Sequence, residues 1–175
     1  NLSSSGQASR LFPDQAERIR STLALLTRQA VLWDFEQDRV LRHLAQTGFR
    51  PVVLKGGALR RWVFSAPVER AMGDLDILVD PEEVAPVLEA LESLGYGSEY
   101  PDSARRAFKA HLYHDRVTHP NGFHVEVHWG LTRPGASVQL DAGLFVHRSH
   151  IIDTPRHPPL RVPSTMSPRN RFVFR

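Results

Sequence analysis

The sequence contains no cysteine. That removes disulfides, thiolate nucleophiles and cysteine-ligated zinc. Carboxylates, histidines and the backbone are left as the material for catalysis or metal binding. No apolar run reaches the roughly 18 residues that a membrane-crossing helix needs. Lysine is scarce as well: of 22 basic residues only Lys55 and Lys109 are lysines, so a lysine followed by two glycines stands out. Residues 1–10 lack the charged-then-apolar pattern of a secretory signal. A cytoplasmic protein is the expectation, and residues 1–12 read as a flexible Ser/Gly/Gln-rich lead-in.

What is present suits one folded domain: 175 residues, 41% of them hydrophobic, can bury a sizeable core. The net charge of +3 is unevenly placed, because residues 146–175 carry six arginines against Asp153 alone. Such an end meets phosphates, nucleic acid or an acidic partner, or is simply a solvated tail.

Apolar positions at helical spacing (Ile19, Leu23, Leu26, Ala30, Trp33, Val40, Leu41, Leu44) predict one long helix or a helix pair from Asp14 to about Thr47. The break, if any, falls around Asp34–Asp38, with Asp14 and Glu17 as a capping box and Gly48 as the stop. Pro51–Leu54 reads as a buried strand, Lys55-Gly56-Gly57 as a turn, and Ala58–Phe64 as a helix. Asp74–Asp80 alternates as a strand. Asp80-Pro81-Glu82-Glu83 predicts a capped helix that ends at Gly95. Phe108–Thr118 and Phe123–Trp129 read as strands joined into a hairpin by His119-Pro120-Asn121-Gly122. From Thr132 the chain reads as loop-like, with a last helix opening at Ser167-Pro168. This order predicts an α+β fold whose small mixed sheet contains residues 74–80 and 123–129 together, with helices packed on one face.

Alternation places Leu75, Ile77 and Val79 toward the core and Asp74 and Asp76 together on the other face. In Phe123–Trp129 the same rule puts Glu126 between His124 and His128 on one face. If the two strands are neighbours, the three carboxylates meet. Like charges so placed repel, which a divalent cation relieves, and without one at least one carboxyl should have a raised pKa. Lys55-Gly56-Gly57, between a strand and a helix, brings backbone N–H groups and a helix N-terminus to where a phosphate can sit. It reads equally well as a plain tight turn.

Together these motifs resemble the DNA polymerase beta-like nucleotidyltransferase superfamily, and more closely the bacterial family described only as uncharacterised nucleotidyltransferases. The resemblance rests on Leu54-Lys55-Gly56-Gly57, on Arg70-Ala71-Met72-Gly73-Asp74-Leu75-Asp76-Ile77-Leu78-Val79 and on Val125-Glu126-Val127-His128-Trp129. It spans residues 15–131, within a core taken as 13–131. Residues 132–175 are then a loop-rich basic segment leading toward a C-terminal helical region that is cut short. The resemblance implies a polymerase-beta-like fold and transfer of a nucleotidyl group from an NTP, ATP foremost, to an acceptor hydroxyl. It implies Mg²⁺ (or Mn²⁺) held by Asp74, Asp76 and Glu126, with Lys55, Gly56, Gly57 and Arg70 on the triphosphate. The acceptor is a small molecule, peptide or protein, with nucleic acid less favoured and no membrane involved. Where many superfamily members have serine after the first glycine, this chain has Gly57-Ala58.

Two other readings stay open from the residues. One is a catalytically inactive nucleotidyltransferase-like binding module, of the antitoxin or biosynthetic-cluster type. The other is a metal hydrolase in which His124, Glu126 and His128 bind Zn²⁺ or Fe²⁺. Trp62 and Trp129 read as core residues that also have the chemistry to stack on a base.

Overall fold

The computed structural model describes residues 13–64, 66–98, 100–101, 112–154 and 157–164. Helix α1 (Pro13–Gln46) is continuous through Asp34–Asp38. The charged residues there do not break it. Asp34 and Asp38 are buried where α1 meets helix α2 (Lys55–Trp62), and Glu36 is buried against Tyr96. Arg60 pairs with Asp34 at 3.2 Å, and Arg61 with Asp38 at 2.5 Å. The capping box at Asp14 does not form: the helix already includes Asp14, and Glu17 takes Arg20 at 2.8 Å instead.

Strands β1 (Val52–Val53), β2 (Leu75–Leu78), β3 (Gly97–Ser98), β4 (His114–Thr118) and β5 (His124–His128) form one mixed sheet in the order β1-β2-β5-β4-β3. β2 and β5 are parallel neighbours, with Asp76 directly opposite Glu126. The expected strand from Phe108 is seen only from His114, and residues 102–111 lie outside the described part. The hairpin forms as expected, with Gly122 at φ +86 in its turn and Arg116 paired to Glu126.

On one face of the sheet, Leu75, Ile77, Val125 and Val127 pack against Val40 and Leu44 of α1 and against helix α3 (Val84–Ser93). This helix starts later than its sequence suggests. Asp80 does not cap it; residues 81–83 form a turn in which the Glu83 N–H donates to the Asp80 carbonyl at 2.9 Å. Gly95, at φ +91, closes it as expected.

Residues 142–154 and 157–162, read as loop-like, are structured. They form the short helix α4 (Ala142–His147) and a two-stranded sheet of β6 (His150–Thr154) and β7 (His157–Val162). Pro158 and Pro159 are tolerated because β7 pairs on one side only, with an irregularity opposite at Ile152–Thr154. Ile152, Leu160 and Val162 join the main core. Ala142 and Val146 of α4 cover Val52, Leu54 and Leu78 on the other face of the sheet. Arg161, from the basic end, ties this segment down by donating to the carbonyls of Arg50 (3.0 Å) and Val146 (2.8 Å). The expected helix at Ser167-Pro168 lies outside the described residues. Among the described residues no helix is long and apolar enough to cross a membrane.

Candidate functional site

The face of β2 and β5 turned away from α1 and α3 carries the chemistry. Parallel pairing in register sets Asp76 beside Glu126 and Leu78 beside His128. Strand alternation then brings Asp76, Glu126 and His128 to one face, and α4 covers the apolar part of it. All three are buried, at 3%, 7% and 4% exposure. His128 Nε2 lies 2.9 Å from Asp76 Oδ1 and 3.4 Å from Glu126 Oε2. One ligand-type atom from each of the three falls within 4.8 Å of the others. Two carboxylates and an imidazole at that spacing make a donor set that fits a divalent cation.

The cluster also carries its own positive charge. Lys55 Nζ is 2.5 Å from Asp76 Oδ1, and Arg116 donates to Glu126 Oε1 at 2.5 Å. The repulsion expected among the carboxylates is therefore partly neutralised by side chains. Burial acts to raise the pKa of Asp76, but hydrogen bonds from His128 and Lys55 outweigh it and hold the carboxyl at about 2. Asp74, half-buried one residue before β2, lacks such bonds. Its pKa is pushed up by burial and then by the charges of Asp76 and Glu126. The carboxyl with the raised pKa is thus Asp74, while its neighbour goes the other way.

Lys55 opens α2 with φ +44, an unusual backbone for a residue with a side chain. Gly56 and Gly57 differ in their surroundings. A Cβ on Gly56 would lie 3.3 Å from Met72 Sδ and 3.7 Å from two Arg70 guanidinium nitrogens, so Arg70 comes to this turn. A Cβ on Gly57 would lie 3.0 Å from Val53 Cγ1 and 3.1 Å from Leu75 Cδ1. Close packing accounts for the second glycine. Its carbonyl accepts from Gln37 Nε2 at 3.3 Å.

The structure thus brings together Lys55, Asp74, Asp76 and Glu126, with Gly56 and Arg70 at the adjoining turn. His124 stays apart, with its Nδ1 2.9 Å from Thr118 Oγ1, and the three-residue group holds Asp76 in its place. Trp62 and Trp129 pack partly buried against the main core. The sequence reading missed Arg116 and His114. His114 is opposite His128 in the hairpin, with the two rings 5.0 Å apart, and burial lowers its pKa. Both lie at positions that the hairpin register, counted back from the turn, assigns to the same face as Glu126.

A family model for uncharacterised nucleotidyltransferases matches residues 1–167. The chain belongs to that family. No curated protein matches it. For a nucleotidyltransferase the mixed α+β architecture is the expected one, and family membership implies a nucleotide substrate. Nucleotidyltransferases typically use divalent metals, and the buried Asp76, Glu126 and His128 group could bind one.

Proposed function

We propose that the protein transfers a nucleotidyl group from an NTP, ATP foremost, to an acceptor hydroxyl, at the face where β2 and β5 meet. The observation that carries the reading is the direct pairing of Asp76 with Glu126 beside the turn that opens α2. Asp74, Asp76 and Glu126, joined by His128, would hold the divalent cation, Mg²⁺ or Mn²⁺. When bound there, the cation would supply charge to neutralise phosphate oxygens and to lower the pKa of an acceptor hydroxyl.

The chain's own groups divide the remaining work. The Gly56 N–H, the N-terminus of α2, Lys55 and Arg70 form the positive end that receives the triphosphate. Lys55 is anchored on Asp76, so its charge is already directed at the site before any ligand arrives. Arg116 fixes Glu126, and His128 orients Asp76 by a hydrogen bond to the oxygen that Lys55 also contacts. Burial of the cluster excludes water and strengthens each of these interactions.

The mutational test separates the residues. Asp74→Asn and Asp76→Asn should each lower transfer by about a thousandfold or more, as loss of a group acting on the transition state does, while the protein stays folded. Glu126→Gln should be equally damaging to transfer but leave NTP binding measurable by calorimetry. His124→Ala should leave transfer within a fewfold of wild type. Full activity in the two asparagine variants would overturn the assignment.

A further inference from the structure

A cleft of about 400 Å³ opens at the far end of the same sheet. Its walls include Tyr113, Trp129, Thr132, Leu140 and Asp141, with Pro81 at the C-terminal exit of β2. The cleft adjoins the carboxylate cluster through Tyr113, whose ring is 4.6 Å from that of His114 and 6.0 Å from that of His128. The Tyr113 carbonyl accepts the N–H groups of both Trp129 and Gly130, so the cleft wall is tied to the end of β5.

Its position is informative. β1 runs antiparallel to β2, and the Leu54 N–H donates to the Asp76 carbonyl at 3.0 Å. Lys55 and Gly56 therefore follow on beside the start of β2, whereas Pro81, Trp129 and Gly130 come after the ends of β2 and β5. The phosphate-receiving turn, level with Asp74, and the cleft lie on opposite sides of Asp76 and Glu126 along the strand direction. Transfer of a nucleotidyl group requires the attacking and leaving oxygens to be roughly in line through the α-phosphorus. The acceptor oxygen forms a bond to that phosphorus as the bond to the pyrophosphate oxygen breaks. Pyrophosphate leaves with the electron pair, and the hydroxyl proton leaves to solvent through the open cleft. With pyrophosphate at the turn, the acceptor comes from the cleft.

We infer that the cleft is the acceptor site and that it takes an amine-bearing molecule with a flat or apolar body and a free hydroxyl. Tyr113 and Trp129 offer aromatic faces, which attract both rings and ammonium groups. Asp141 is the charged residue among the described walls; one of its oxygens caps α4, accepting the Leu144 N–H at 3.1 Å, and the residue is exposed. Described lining residues include no lysine, arginine or histidine. The described walls therefore offer an ammonium group a carboxylate and offer a phosphate no cation.

This inference rests on the nucleotidyl-transfer reading, and the test keeps the two apart. Tyramine and 4-hydroxyphenylacetate share a ring and hydroxyl but carry opposite charges. Each is titrated into full-length protein while the indole N–H signals of Trp33, Trp62 and Trp129 are followed by NMR, and NTP binding with Mn²⁺ is measured separately by calorimetry. Tyramine should move the Trp129 signal and leave Trp33 in place, and it should bind about tenfold more tightly than the acid, the scale of one nearby charge. Leu140→Arg should reverse that order without altering NTP binding. Equal or tighter binding of the acid to wild type, an unreversed order in Leu140→Arg, or a Trp129 signal that neither probe moves would overturn the inference. Absence of NTP binding in wild type would instead count against the nucleotidyl-transfer reading, while the Trp129 response still judges the cleft.

Discussion

His128 is the residue that sets this site apart from one built of carboxylates alone. Mg²⁺ takes oxygen ligands and holds its waters, whereas an imidazole nitrogen suits transition-series ions. Mn²⁺ should therefore bind more tightly than Mg²⁺ to the wild-type protein. Replacing the nitrogen by an oxygen donor in His128→Asp should narrow the gap, as read by Mn²⁺ electron paramagnetic resonance with Mg²⁺ competition. An unchanged preference would mean that the ring only orients Asp76. A second residue-scale prediction concerns Glu36, on the opposite side of the sheet. Its Oε1 accepts from the Tyr96 hydroxyl at 2.8 Å and from Arg39. Burial acts to raise its pKa, but the hydrogen bonds from Arg39 and Tyr96 win, and the carboxyl lies below its ordinary 4.5. A carboxylate lowered on folding adds stability that is fully present above the unfolded value and is lost as the pH falls through the folded one. Tyr96→Phe should cost about 1–3 kcal/mol at pH 7, the usual cost of leaving a buried acceptor short of a donor. It should also lessen the loss of stability on acidification below 4.5, both read from urea titrations.

At the scale of elements, α1 and α2 are joined by buried ion pairs as well as by the apolar core. Asp38 receives Arg61 at 2.5 Å and also His157 of β7 at 3.3 Å, while Arg60 and Arg61 have side chains only 2% and 1% exposed. Removing one partner of such a pair strands a buried charge, so Asp38→Ala should destabilise the fold by about 3–5 kcal/mol. The double change Asp38→Leu with Arg61→Leu should recover much of that loss in denaturant titrations. The joint bears on the proposed phosphate-receiving turn because α2 carries Lys55 and Gly56. This is also where the sequence was hardest to read. Hydrophobic periodicity found α1 and both strands of the hairpin, because alternation and helical spacing are local. Asp34–Asp38 looked like a break because charges in a helix usually face water, and nothing local announces that two arginines some 25 residues away will bury them. The same limit hid β6 and its partner β7, whose Pro158 and Pro159 suggest a loop until the pairing is known, and it hid Arg116 and His114. Asp74, Asp76 and Glu126 were legible because period-two alternation fixes their face; that β2 and β5 are neighbours needed the tertiary fold.

For the whole molecule, one sheet serves two purposes. Its inner face builds the core with α1, α3 and the β6–β7 hairpin. Its outer face keeps a carboxylate–histidine cluster between a positively charged turn and an aromatic cleft. Because the parallel β2–β5 pair spans both faces, packing that fixes Ile77 against Val127 also fixes Asp76 against Glu126. The central claim is that this arrangement splits an NTP between its α- and β-phosphates. It is tested most directly by incubating the protein with Mn²⁺ and NTP labelled at the α- or the γ-phosphate, then following pyrophosphate release and the fate of the label. Divalent-dependent release of pyrophosphate is expected, with α-label carried onto an acceptor, γ-label never carried, and all of it lost in Asp76→Asn. Transfer of γ-label, or release undiminished in Asp76→Asn, would contradict it.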